Sequence, residues 1–480
     1  MTLRASRRLR SAVWPSAIVP SPSRLRVAAL SALCALSAAC AREVNLAVLV
    51  VTPDGGDPFA PPDGATLARV TIDDPSIPPQ TVPVDARGGF TLSLDLGATN
   101  ANARMVIEAL DGATILGSGA TPQLRWSQLG AVILPVFVQR RDSVVDAPWG
   151  LGTARTSPFL FLLDSPFVAA LGGARVTAPI DVYDNLTLNA VSGATNLDDL
   201  FNRDASALRL ADGRVMLVRG CAAITWSPSA NAVGLPMNAM PPTARCDLIA
   251  STAVQDPAGG GWILGGRGPM GPSARVDRVL PDGTWEAAPA MASPRVSPSA
   301  LRLGPDEVLV GGGQSGDATF LERWGASLPM ESRAVTTGVT AVDRRDGATL
   351  FALGGGVVAV LGGVVRDDGS LSAADALIDT GCLNGSCPVV IGTPTLLSQR
   401  RRSPSAALAN GDTLLVASGT TDGTTPADAL ELLDVRDPRS PSSLGTVGRL
   451  PFAGLSLLTL HSGSVWIAGG GERSNWIFRH

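Results

Sequence analysis

The sequence predicts an all-β protein built largely from one unit used seven times, and three observations carry that prediction. Glycine (53 residues) and proline (37 residues) break a chain that is 45% apolar into strand-length runs of Val, Leu, Ala and Thr. An apolar strand ending in a glycine pair recurs at near-regular spacing over the last two thirds of the chain. Helical stripes are scarce, and no segment after the N-terminus has the ~18 uninterrupted apolar residues of a membrane span. With 480 residues the chain exceeds what one hydrophobic core organises, so two or more folded units are expected.

The first 26 residues hold Arg4, Arg7, Arg8, Arg10, Arg24 and Arg26 and no acid, and residues 27–39 are small and apolar. A charged stretch followed by a hydrophobic one is a secretory signal, here residues 1–39. The segment Leu36-Ser37-Ala38-Ala39-Cys40 resembles a bacterial lipobox, with Ser37 where a Leu is usual. That resemblance implies acylation of the Cys40 thiol and membrane attachment through the lipid alone. It also implies outer-membrane sorting, because Ala41 is not the Asp that retains lipoproteins at the inner membrane. Ordinary cleavage after Ala39 or Ala41 is the alternative.

Residues 40–140 carry about seven short strand candidates, at 45–51, 68–72, 81–85, 90–94, 105–109, 114–116 and 131–138, parted by Pro and Gly turns. They predict a small β-sandwich. The run over residues 81–94 resembles extracellular carboxypeptidase regulatory-like or Ig-like modules, and residues 139–142 read as a short linker.

From residue 141 the repeat begins. Its glycine pair, or a substitute, falls at Gly172-Gly173, Arg219-Gly220, Gly265-Gly266, Gly311-Gly312, Gly354-Gly355, Ser418-Gly419 and Gly469-Gly470, with steps of 47, 46, 46, 43, 64 and 51 residues. In the fifth unit Gly362-Gly363 offers a second choice that changes the steps on either side of it from 43 and 64 to 51 and 56. An Arg precedes each pair by 16 to 21 residues: Arg155, Arg203, Arg245, Arg295, Arg333, Arg402 and Arg449. Asp-Gly hairpin turns such as Asp212-Gly213 and Asp346-Gly347 lie between. A third strand follows the pair, as at Val182-Tyr183, and a fourth follows Trp285 in the best unit.

These features resemble the kelch repeat of the galactose oxidase and kelch-like propeller superfamily, over about residues 143–480. The resemblance implies a seven-bladed kelch-type β-propeller over residues 141–480, in which four-stranded antiparallel sheets bury their faces against copies of themselves around an axis. Residues 143–149 read as a fourth strand and residues 475–480 as a third, so the N-terminal strand completes the seventh blade. The phased Arg residues then have two readings. They ring one mouth of the central channel and attract an anion, or, as kelch-type units often have it, each pins its blade to the next through backbone carbonyls.

The remaining chemistry is read largely from scarcity. All 38 basic side chains are Arg, and the chain holds two His and one Tyr. Without Lys there is no Walker A loop or Schiff base, and with two His no HExxH zinc helix. The superfamily's copper oxidases need two Tyr and two His at one metal, which excludes copper oxidation here. Loss of the signal leaves 32 Arg against 42 acids, a charge of about −10, which repels nucleic acid. Beyond Cys34 in the signal and Cys40, four Cys remain, an even number suited to an oxidising compartment. The local pairing Cys221 with Cys246 and Cys382 with Cys387 contributes roughly 3.5 and 2 kcal/mol by loop entropy. A zinc site is the rival, disfavoured because no CxxC pair occurs.

The expectation is therefore a monomeric outer-membrane lipoprotein, without cofactor or metal, that serves as a non-catalytic interaction scaffold. It would bind a protein or glycan of the cell envelope through propeller loops, chiefly the long insertion over residues 364–394. The alternative is a propeller polysaccharide hydrolase or lyase using carboxylates.

Overall fold

The computed structural model describes residues 47–85, 90, 102–126, 133–173, 178–191, 196–197, 201, 204–229, 232–234, 246–313, 321–343, 345–365, 369–372 and 375–480. The signal, Cys40, Arg203 and Arg245 lie outside them, as does most of the strand expected at 90–94.

The N-terminal strands join in one six-stranded order. Alternate side chains point to one face: Ala68, Val70 and Ile72 on Leu67–Ile72, Met105, Ile107 and Ala109 on Met105–Asp111, Leu134, Val136 and Val138 on Ile133–Arg140. This period of two is what a half-buried sheet requires. Trp126 and Phe59 close the core over that face, and Trp126 donates its indole N–H to the Ala103 carbonyl at 3.0 Å.

Seven four-stranded antiparallel sheets follow, spanning residues 159–190, 206–234, 252–288, 299–335, 349–392, 405–449 and 455–479; these are blades 1 to 7. The last sheet takes its fourth strand from Ser143–Asp146, which pairs with Asn475–Arg479 in the register Phe478 to Val144. Each blade's second strand is apolar throughout because it is buried on both faces. In blade 1, Val168 and Ala170 pack toward Trp466 of blade 7, while Ala169 and Leu171 pack toward Leu217 and Trp226 of blade 2. Equivalent clusters fill every other seam, including blade 6 against blade 7, so the ring is closed.

Two register corrections follow. In blade 5, Gly354 and Gly355 form the turn between the strands Thr349–Gly354 and Val357–Leu361, and the inter-blade pair is Gly362-Gly363. In blade 4 the pair is Gly312-Gly313, one residue later than expected, with φ of 63° and 81°. Gly362 needs its glycine: a Cβ would stand 2.3 Å from the Arg401 carbonyl oxygen of the next blade. Residues 364–394, expected as an insertion, contain blade 5's own third and fourth strands, Ala376–Asp379 and Val390–Gly392. Disulfides join Cys221 to Cys246 and Cys382 to Cys387. Such bonds persist outside the reducing cytoplasm, in the periplasm or the extracellular space. No helix among the described residues is long and apolar enough to cross a membrane.

Candidate functional site

One residue per blade, just before the inner strand, adopts the left-handed conformation: Ser157, Asp204, Ala250, Ser297, Gly347, Ser403 and Gly454, with φ between 47° and 69°. All seven line one hollow of about 620 Å³ at the channel mouth. At four of them the bend lets the N–H reach the preceding blade. Ser157 donates to the Gly454 carbonyl (2.6 Å), Ala250 to Asp204 (2.9 Å), Ser297 to Ala250 (2.8 Å) and Ser403 to Gly347 (2.6 Å). Two residues further on, hydroxyls donate the opposite way, to the following blade. Ser206 reaches the Ser251 carbonyl (2.7 Å), Thr252 that of Pro298 (2.5 Å), Thr349 that of Pro404 (2.6 Å) and Ser405 that of Leu455 (2.8 Å).

Behind this hoop sit the arginines that hold the blades. Arg155, Arg295, Arg345 and Arg401 are buried, and each donates Nη1 to the carbonyl 17 residues on, those of Gly172 (2.6 Å), Gly312 (2.7 Å), Gly362 (3.2 Å) and Ser418 (3.1 Å). A buried acid of the same blade's third-strand segment faces each: Asp181, Glu322, Asp375 and Glu431. Burial pushes the carboxyls of Asp181, Glu322 and Asp375 up against the pull of these cations.

The expected ring of arginines at the mouth is therefore corrected. Arg155 and Arg295 are blade pins withdrawn from solvent. Arg333 is also buried, donating to the Leu328 carbonyl with its guanidinium 5.9 Å from the Trp324 ring centre. Arg449 is exposed and pairs with Asp428 at 2.9 Å. Of the expected residues that the structure describes, only Arg402 reaches the mouth. The missed pins, Arg345 and Arg401, had a signal: Arg-x-Ser-Pro recurs at Arg155, Arg295 and Arg401, with the left-handed residue always two after the Arg.

Among the described residues the mouth offers the exposed Ser157, Ser297 and Ser403, with Arg267, Arg402 and a single lining carboxylate, Asp204. The Arg402 guanidinium has no hydrogen-bond or ion-pair partner among the described residues, and its chain lies against Gly347. One carboxylate does not make the pair a hydrolase needs, so the hydrolase or lyase alternative is left without support.

The fold and mouth define a closed seven-bladed propeller with a polar axial hollow. No protein-family model and no curated protein matches the chain. Among solved structures it is similar to a fungal alcohol oxidase of the AA5 family in complex with copper, at 14% identity and a TM-score of 0.47, over 70% of this chain and 75% of that one. That structure is an enzyme's, and the expectation of a non-catalytic scaffold binding protein or glycan through propeller loops is not carried further. Copper does not fit this chain. Its one Tyr, Tyr183, is buried against Trp149 and Trp466 and donates to the Gly150 carbonyl at 3.0 Å. Both His residues lie away from the axis.

Proposed function

We propose that this is an exported protein, tethered to the outer membrane through lipidated Cys40, that takes a small polar carboxylate-bearing molecule at the channel mouth. It acts as a monomer, and its acidic surface keeps it from nucleic acid. The observation that carries this reading is Arg402, a guanidinium without a carboxylate partner among the described residues, in a hollow edged by the hydroxyls of Ser157, Ser297 and Ser403. Such a fork binds a carboxylate in two parallel hydrogen bonds, while hydroxyls and strained-loop carbonyls suit a polyol. Calorimetric titration with gluconate, against neutral glucose, tests it. Gluconate is expected to bind and Arg402→Gln to weaken it by roughly tenfold or more, about 1.4 kcal/mol. No binding, or equal binding by the variant, removes the reading. Cys40→Ser is expected to move the protein from the membrane fraction to the soluble fraction.

A further inference from the structure

A second cavity, of about 480 Å³, lies between the N-terminal sheet and blades 6 and 7, at the opposite end of blade 7's inner strand from Gly454. It gathers the chain's only two histidines, His461 and His480, with Arg104 and Arg141 from the N-terminal side and Arg479 from blade 7. Glu108 is the one acidic side chain lining it among the described residues, and it is already paired with Arg69 at 2.6 Å; the main-chain carboxylate of His480 accepts from Asn410 Nδ2 at 2.6 Å. Arg104 pairs with Asp73 at 3.0 Å and His480 with Asp142 at 2.6 Å.

The other cations have no such balance. Arg479 is 5% exposed and donates only to neutral oxygens: Ser118 Oγ at 2.6 Å, Ser462 O at 3.2 Å and Ser464 Oγ at 3.0 Å. Its Nη2 has no partner among the described residues. Arg141 Nε is buried without a partner, and the His461 ring makes no hydrogen bond among the described residues. Burial and the like charges of Arg104 and Arg141 hold Arg479 down to about 10, and burial lowers His461. Burying a guanidinium without a counter-ion is costly, and two guanidinium groups with an imidazole around a polar cavity are the chemistry that recognises an oxyanion.

We propose that this cleft binds a sulfate- or phosphate-type oxyanion group carried on a small organic molecule, bridging the two domains. The cavity has room for far more than a free ion. Arg479 is integral to blade 7, so the test uses Arg141→Gln and His461→Gln in the full chain, with Arg214→Gln as a distant charge control. Calorimetric titrations with sodium sulfate, inorganic phosphate and glycerol phosphate are compared at fixed ionic strength.

Saturable binding is expected, tightest for glycerol phosphate and weakened roughly tenfold by Arg141→Gln. The Arg214→Gln control is expected to bind like the parent. Sulfate stays dianionic across pH 5 to 7, so its affinity should rise as pH falls and His461 protonates, and His461→Gln should flatten that slope. Tighter binding of the ester assigns the organic carrier, whereas equal binding by inorganic phosphate restricts the site to the free ion and overturns the carrier. No saturable binding by any of the three, or unchanged affinity in Arg141→Gln, overturns the site itself.

Discussion

At the scale of the residue, the buried Arg pins are the parts whose loss is easiest to reason about. Arg401 bonds the carbonyls of Ser418 and Ala429 and the carboxylate of Glu431, which is 1% exposed. Arg401→Leu leaves that carboxylate without its cation and is expected to cost about 3–5 kcal/mol in urea unfolding, since one partner of a buried pair has been stranded. Replacing both Arg401 and Glu431 by Leu should recover most of the loss. Recovery would mark the pair as a device of register more than of net stability. The serines and threonines two residues after the left-handed positions are a second legible pattern, since they recur at Ser206, Thr252, Ser299, Thr349, Ser405 and Ser456. Phe159 breaks the series in blade 1, and the structure gives that seam no hydroxyl bond at the same place.

At the scale of the element, the second strands were the most readable feature of the chain. A strand pressed on both faces cannot alternate, so Val168–Leu171, Val308–Val310 and Val357–Leu361 stand out as unbroken apolar runs. The same logic misled the reading of blade 5. Its inner strand, Thr349–Gly354, is also apolar and also ends in glycines, so a hairpin turn passed for the inter-blade pair. That slip carried the pinning Arg from Arg345 to Arg333 and made blade 5's outer strands look like an insertion. The disulfides act at this scale too. Cys221–Cys246 closes a 25-residue span from blade 2 to the entry of blade 3. Changing both to Ser should lower unfolding free energy by about 3.5 kcal/mol in the loop-entropy picture, measured by denaturant titration without reductant.

At the scale of the whole molecule, closure depends on a strand met before the first blade. Ser143–Asp146 supplies blade 7's outer edge, and Gln139 just ahead of it donates to the Ser143 and Ile477 carbonyls at 2.9 and 3.3 Å. A chain starting at Gly150 should therefore lose its single calorimetric transition, or aggregate through the bare edge of Asn475–Arg479. The closing strand was readable because residues 143–149 carry a fourth-strand pattern ahead of the first repeat. The cleft was not readable. Arg104, Arg141 and His461 are separated by up to some 350 positions, and only the packing of the N-terminal sheet on blade 7 brings them to one cavity.

The opposed hydrogen bonds round the mouth carry a mechanical consequence. At the seams of blades 2 and 3, 3 and 4, and 5 and 6, amides pull backward and hydroxyls pull forward, so a twist in either sense stretches one set. The bore cannot iris open by blades sliding in concert, and whatever enters must already fit a fixed aperture. Selection there would rest on size and shape at the threshold, before any side chain closes on the guest.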